Sequence, residues 1–350
     1  MREAYKQEEP EWITTKPIIE DHWNACLQML EGHSDGVMSV TFSHDSKLLA
    51  SASYDKTVRI WNAGTGSLQQ TLEGHDSAVM SVTFSHDSKL LASASDKTVR
   101  IWDAGIGFLQ QTLEGHGSAV MSVTFSHDSK LLASASDKTV RIWDAGTGFL
   151  QQTLEGHGSA VMSVTFSHDS KLLTSASLDK TVRIWDVGTG FLQQTLEGHS
   201  DGVMSVAFSH DSKLLASASY DETVRIWDVS TSFCHQIVTV NTVITSLSFD
   251  SIDSNLLTNV GSCKVYRTEL STTSEYSQEG GSDGDRQRLS ISGPWVTWNK
   301  QNLLWLPPDY RATMFDISPL GSIVAGGCES GKVFIIGFSP VILYNSLGQL

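Results

Sequence analysis

The sequence predicts an all-β ring of small four-stranded sheets, and three observations carry that prediction. Gly-His recurs at Gly32-His33, Gly74-His75, Gly115-His116, Gly156-His157 and Gly198-His199, in steps of 42, 41, 41 and 42 residues. A tryptophan closes each unit (Trp61, Trp102, Trp143, Trp185, Trp227), followed by Asp in four units and by Asn62 in the first. Between these markers each unit breaks into four short runs bounded by turn residues, every run too short for a helix. One such unit cannot cover both of its faces. Units stacked in a ring can, and the ring leaves only short protected edges. The expected architecture is therefore a β-propeller.

The first unit illustrates the elements. Val37–Phe42 alternates small polar with apolar residues, the period of a strand. Ser43-His44-Asp45-Ser46-Lys47 is a polar turn, and Leu48–Ser53 a strand of small and apolar residues. Tyr54-Asp55-Lys56 reverses the chain. Thr57–Trp61 places Val58 and Ile60 on one face and Arg59 and Trp61 on the other; a glycine turn then leads to Leu68–Leu72. The segments Asp76–His116 and Gly117–His157 differ only at Asp76/Gly117 and Ile106/Thr147, which reads as recent duplication. Units two and three lack the residue equivalent to Tyr54, Leu178 or Tyr220. A slip inside a strand would turn every side chain to the wrong face, so the turn must absorb the deletion as a tighter hairpin.

The regular repeats span 34–240, and degenerate units are expected over 241–350. Strands are expected at Val243–Phe249, Asn255–Gly261 and Cys263–Glu269, then Arg288–Ser292, Trp295–Asn299 and Leu303–Leu306, then Met314–Ser318, Ser322–Cys328 and Lys332–Phe338. The Ser/Gly/Glu/Asp-rich stretch 271–287 reads as a flexible insertion. The last unit has no fourth strand of its own. Residues 23–33 supply one, because Gln28, Leu30 and Gly32-His33 match Gln70, Leu72 and Gly74-His75, with a one-residue slip before Gln28. This segment should close the ring, leaving 1–22 as a lead-in. The unit count is eight, or seven if 288–306 merges with a neighbour.

Composition narrows the function. The formal charge of −15 disfavours non-specific binding to nucleic acid or anionic lipid. No apolar run is long enough to span a bilayer, and residues 1–20 carry no signal-peptide pattern. The four cysteines form no CxxC pair, which fits a reducing compartment without a zinc site. A cytoplasmic, monomeric protein without cofactor or metal is expected. Gly326–Val333 nearly spells a phosphate-binding loop, but Val333 stands where the pattern needs Ser or Thr and a strand follows instead of a helix. The turn histidines His44, His86, His127, His168 and His210 sit on separate units and read as solvated turns. Trp295, Trp298 and Trp305 read as core packing of irregular units, with a ligand patch as the alternative.

The units closely resemble WD repeats, although their His-Asp-Ser turns stand where that family often has Pro-Asp-Gly. The resemblance implies a buried hydrogen-bond chain in each unit: His33, Ser51, Asp55, Trp61; His75, Ser93, Asp96, Trp102; His116, Ser134, Asp137, Trp143; His157, Ser175, Asp179, Trp185; and His199, Ser217, Asp221, Trp227. Recurring five times in a scaffold position, these His/Ser/Asp sets are not read as catalytic, and no enzyme activity is expected. The flanks Glu11-Trp12-Ile13, Trp23–Gln28, Leu304–Arg311 and Gly331–Ile335 resemble those of fungal NACHT–WD-repeat proteins, NOD-like receptors of the heterokaryon-incompatibility type. The resemblance covers about 11–340 and lacks the nucleotide-binding NACHT module, so it implies only the ligand-sensing half of such a receptor: a stand-alone sensor, a decoy or a truncated product. The alternatives are a WD-repeat adaptor, of the mitochondrial-fission or ubiquitin-ligase type, and an enzyme on a propeller.

The units differ mostly at one end of the ring, where the loop before the first strand and the turn between strands two and three meet. Loops on a rigid scaffold commonly carry binding, and exposed tyrosine anchors partners well. Tyr54, Leu178, Tyr220, Asp35, Asp76 and Asp201 are therefore the candidate residues for a protein partner.

Overall fold

A computed structural model describes residues 26–250, 253–259, 261–266, 289–292, 295–298, 301–306, 312–319 and 323–337. The lead-in 1–22 and the insertion expected over 271–287 lie outside the described residues.

The described strands form antiparallel sheets and no helix: six sheets of four strands and two of three. Each regular unit is a meander, as in Val37–Phe42, Leu48–Ser53, Val58–Asn62 and Leu68–Leu72. The irregular units follow as Leu247–Phe249, Asn255–Thr258, Gly261–Lys264, then Leu289–Ser292, Trp295–Trp298, Gln301–Trp305. The third strand of the sixth unit begins at Gly261 rather than Cys263, because a tight turn pairs Thr258 with Gly261. Among the described residues Leu289–Ser292, Trp295–Trp298 and Gln301–Trp305 pair into one three-stranded sheet.

The core consists of layers between consecutive sheets. Ala50, Ala52, Val58, Ile60 and Leu72 of unit one pack against Val79, Val82, Phe84, Leu91 and Trp102 of unit two, all buried. Residues that alternate along one strand thus serve two layers: Val58 and Ile60 face the next unit, whereas Trp61 packs with Ala325, Val333 and Ile335 of the last. Fully burying an aliphatic or aromatic side chain of this size is worth roughly 1.5–3 kcal/mol. Radial sheets converge toward the axis. The second strand, Leu-Leu-Ala-Ser-Ala-Ser, accordingly fills the gap with small residues, and the large Trp stands farther out.

The shortened units behave as the deletion requires. Ser95 pairs directly with Thr98 and Ser136 with Thr139, so only Asp96-Lys97 and Asp137-Lys138 remain in the turns and the strand registers on either side are unchanged.

The last sheet is composite. Cys26–Leu30 pairs with Val333–Gly337, outside Ile323–Gly327 and Met314–Ile317. In the regular units a bulge falls between Ile60 and Trp61, or their equivalents, where they meet the fourth strand. Leu30↔Val333 through Cys26↔Gly337 runs without one, which accounts for the one-residue slip in the repeat match. Gln28 reaches the next unit as its equivalents do: its Nε2 donates to the Gly64 carbonyl at 3.0 Å, and that of Gln70 to Gly105 at 2.8 Å. At the same seam the Phe42 amide donates to Asp316 Oδ2 at 2.7 Å. Between units one and two the first strands are tied two residues earlier, from the Val82 amide to Ser39 Oγ at 3.3 Å.

Leu30 is 3% exposed and Met29 50% exposed on the same strand. If this strand holds the ring closed, Leu30→Ala should lower stability by about 2–5 kcal/mol and Met29→Ala by less than about 0.5 kcal/mol. Urea unfolding of the two variants measures the difference, and equal midpoints would contradict the closing role.

Candidate functional site

The repeated polar residues build a buried hub. Ser51 Oγ accepts the Trp61 indole N–H at 2.9 Å and meets His33 Nε2 at 2.8 Å. His33 Nδ1 lies 2.8 Å from Asp55 Oδ2, and the His33 side chain is 0% exposed, out of reach of any substrate. One direction satisfies every group: indole N–H to serine, serine O–H to Nε2, Nδ1–H to carboxylate. Units four and five repeat it through His157, Ser175, Asp179, Trp185 and His199, Ser217, Asp221, Trp227.

Units two and three correct the expectation. His75, Ser93, Trp102 and His116, Ser134, Trp143 form the inner part of the hub, but Asp96 and Asp137 do not reach the histidines. Both aspartates stand exposed in the tightened two-residue turns, and the His75 Nδ1 is buried without a partner. The deletion that preserves the strand register therefore removes the carboxylate. Burial, and then the Arg100 or Arg141 guanidinium, pushes His75 and His116 down to about 4. In unit one, burial also lowers His33, opposed by the Asp55 hydrogen bond and charge. Burial pushes the Asp55 carboxyl up, but hydrogen bonds from Thr57 and His33 outweigh it and hold the group below its usual range.

The arginine of each Val-Arg-Ile-Trp run was not singled out by the sequence reading. Arg59 donates to the Gly32 carbonyl at 2.6 Å, and its guanidinium lies 6.0 Å from the Trp61 ring. The equivalent pairs in the other regular units fall within 5.8–5.9 Å. The glycine of Gly-His follows from this: at Gly74, with φ +121°, a Cβ would collide with the Arg100 guanidinium. The signal was the recurrence of Arg at the same period as Gly-His.

The end of the ring where the first strand of each unit begins, termed the top, carries the predicted partner residues. Ser53 Oγ donates to the Asp35 carbonyl at 2.9 Å and the Tyr54 amide to the Gly36 carbonyl at 2.9 Å, so loop and turn are fixed to each other. Tyr54 and Tyr220 are 45% and 44% exposed, and Asp35, Asp76 and Asp201 are also exposed. Leu178 is half-buried against Gly202 of the following unit and is not a free anchor. Tyr54 and Asp35 line one cavity of about 330 Å³ with Gly36, Val37, Met38, Thr313, Met314 and Glu329, at the seam of the first and last units. Tyr220 and Asp201 do not line it; the Tyr220 amide donates to Gly202, which packs on Leu178, and Asp76 belongs to unit two.

The opposite end corrects a second expectation. The turn histidines do not lie apart on a wide circumference; they stack as an arc. Ring centroids are 3.8 Å apart for His44–His86 and His86–His127, 4.0 Å for His127–His168 and 4.7 Å for His168–His210. These turns follow the innermost strands, so they crowd near the axis. Bonds between turns hold them there, such as the Asp45 amide to Ser88 Oγ at 3.2 Å and the His168 amide to Ser212 Oγ at 3.0 Å. His210 ends the arc on Asp253, 2.8 Å away. Burial, and then the neighbouring imidazoles, pushes His86 and His127 down to about 4.

Among the described residues no group of three or more His, Cys, Asp or Glu is placed to hold a metal ion. Gly326 and Gly327 end a strand, Gly331 takes φ +80° in the turn, and Val333 opens the next strand, an arrangement without a helix to cradle phosphate. Trp305 is 45% exposed, contrary to its reading as core.

The model of the WD domain, G-beta repeat, matches residues 24–62, 66–103, 107–144, 148–186 and 190–228, more than half of the chain. The chain belongs to the WD40-repeat family. Among curated proteins, these WD40 repeats are 48% identical over 67 residues to vegetative incompatibility protein HET-E-1 of Podospora anserina, covering 19% of this chain and 5% of that protein. They are 55% identical over 42 residues to coatomer subunit beta'-2 of Arabidopsis thaliana, covering 12% and 4%. The Notchless protein homolog of the same plant is 50% identical over 42 residues, covering 12% and 9%. The matches thus span less than a tenth of these relatives. No helix in the described residues is long and apolar enough to cross a membrane.

Four histidines with pKa near 4 give the WD40 propeller an acid sensitivity of known sign. Their folded pKa lies below the unfolded value of 6.5, so the unfolded chain takes up protons first. Their contribution to stability is complete above about pH 6.5 and is lost as pH falls toward 4. Urea midpoints should fall between pH 7 and 4.5, and fall less in a His86→Gln, His127→Gln variant. A flat wild-type profile would contradict this.

Proposed function

We propose that this WD40 propeller is a non-catalytic interaction module whose top rim receives a protein partner, in the manner of the ligand-sensing part of a fungal NOD-like receptor. The observation that carries the reading is the top rim itself. Sequence differences between nearly identical units concentrate there, and exposed Tyr54 and Tyr220 stand on turns fixed by hydrogen bonds to the preceding loops. Tyrosine offers a large contact area at low entropic cost. A negative protein of this kind selects basic partner surfaces and rejects nucleic acid. The repeat match to HET-E-1 supports the sensing version. In this reading the propeller is monomeric, cytoplasmic and free of cofactors. A generic WD40 scaffold is the second reading, favoured by the comparable matches to coatomer subunits and the Notchless homolog.

The test is a Tyr54→Ala, Leu178→Ala, Tyr220→Ala variant, shown by circular dichroism to be folded, assayed against a partner captured by the wild-type propeller. Binding should weaken at least about tenfold, a change of about 1.4 kcal/mol. A Lys47→Ala, Lys130→Ala variant at the opposite end, altering side chains 78% and 79% exposed, should bind as wild type. The reverse pattern would place the partner on the other face.

A further inference from the structure

We infer that the cavity at the seam between the first and last units is a binding site for an arginine side chain of a protein partner, an inference that rests on the top-rim reading and sharpens it. The cavity of about 330 Å³ is lined by Asp35, Gly36, Val37, Met38, Tyr54, Thr313, Met314 and Glu329. Asp35 and Glu329 come from two different segments, the loop before the first unit and a turn of the last, and the lining contains no Lys, Arg or His. Tyr54 supplies a half-exposed ring, while Met38 and Met314, both half-buried, supply polarizable apolar surface. Carboxylates, an aromatic face and thioethers together suit a cation carried on an apolar stem. The planar guanidinium meets all of them: it stacks on a ring while its fixed fork of five donors reaches carboxylates in its plane, whereas an ammonium has three donors on a compact charge and no plane to stack.

A second site in the same molecule shows what makes the seam special. Unit five repeats the Ser-Asp-Gly loop and the Tyr turn of unit one, as Ser200-Asp201-Gly202 and Tyr220. There the turn of the preceding unit offers Leu178, packed against Gly202. At the seam the backbone of Glu329 occupies that place beside Gly36. The two settings share tyrosine, aspartate and glycine. They differ in the residue that the neighbouring turn supplies, Leu178 beside Gly202 and Glu329 beside Gly36, so the seam cavity is lined by two acidic residues, Asp35 and Glu329. Asp35 keeps one oxygen on the Gly36 amide at 2.7 Å, which fixes the carboxylate; its second oxygen has no hydrogen-bond partner among the described residues.

The protein carries its own reporters. Met38 and Met314 line the cavity, whereas Met80, Met121, Met162 and Met204 hold the position of Met38 in the other regular units. The experiment uses the full chain labelled with ¹³C at the methionine methyls, assigned by Met→Leu substitution, and the capped peptide acetyl-Gly-Arg-Gly-amide as probe. The peptide with citrulline in place of arginine is the uncharged control, and the peptide with lysine the compact-cation control. Saturable shifts are expected at Met38 and Met314 alone, with arginine binding more tightly than lysine, citrulline silent, and the response weakened by salt. Asp35→Asn with Glu329→Gln should weaken binding at least tenfold; Asp35→Asn retains the acceptor for Gly36, and Glu329→Gln alone, at an exposed turn, serves if the pair fails to fold. Equal shifts with citrulline, shifts spread over all inner-strand methionines, tighter binding of lysine, no saturable shift, or binding unchanged in the variants would each overturn the assignment. Loss of the arginine response with partner capture still dependent on Tyr54 and Tyr220 would refute the cavity alone and leave the rim as the binding face.

Discussion

A sheet of four strands built from about forty residues has two apolar faces and can cover neither by itself. Everything else in this chain answers that constraint. Val58 and Ile60 must meet the unit that follows, and Trp61 the unit that precedes, so the third strand is apolar on both sides. Tryptophan brings a polar N–H into that dry layer, where an unmade hydrogen bond would cost about 1–3 kcal/mol. Ser51 satisfies it, His33 satisfies Ser51, and Asp55 satisfies His33. The polar chain thus ends at the top turn, and the packing of the interior fixes the backbone on which the rim residues stand.

Much of this was legible in sequence because the repeat displays each role five times. The strands of the regular units, the location of the deletion and the match of 23–33 to a fourth strand follow from spacing, and the hub serine and tryptophan from the resemblance to WD repeats. What was not legible depends on distances across the ring. The resemblance to WD repeats puts Asp96 and Asp137 in the hub, and only geometry shows that a turn shortened by one residue leaves its carboxylate exposed and away from the histidine. Spacing also puts the five turn histidines on five different units. Their stacking emerges only once the innermost strands are seen to crowd around the axis.

The candidate site was half legible. Tyr54 and Asp35 stood out as variable rim residues, but the other half of the cavity, Glu329 with Met314, comes from the far end of the chain. Nothing local in the sequence joins them. Near-identical units would make near-identical surfaces, so a propeller of this kind gains a distinctive site where its symmetry breaks. The seam is one such place, and the five Leu178-like positions, of which two are deleted and two are tyrosine, are another.

We propose the top rim, rather than the histidine arc or the outer edge, as the face that meets a partner. Amide hydrogen exchange of the intact chain, free and partner-bound, addresses it without altering a residue. The account requires new protection at 34–36, 54–56, 220–222 and 328–331, with the turns at 43–47, 126–130 and 209–213 exchanging as in the free protein. Protection confined to those latter turns would contradict it.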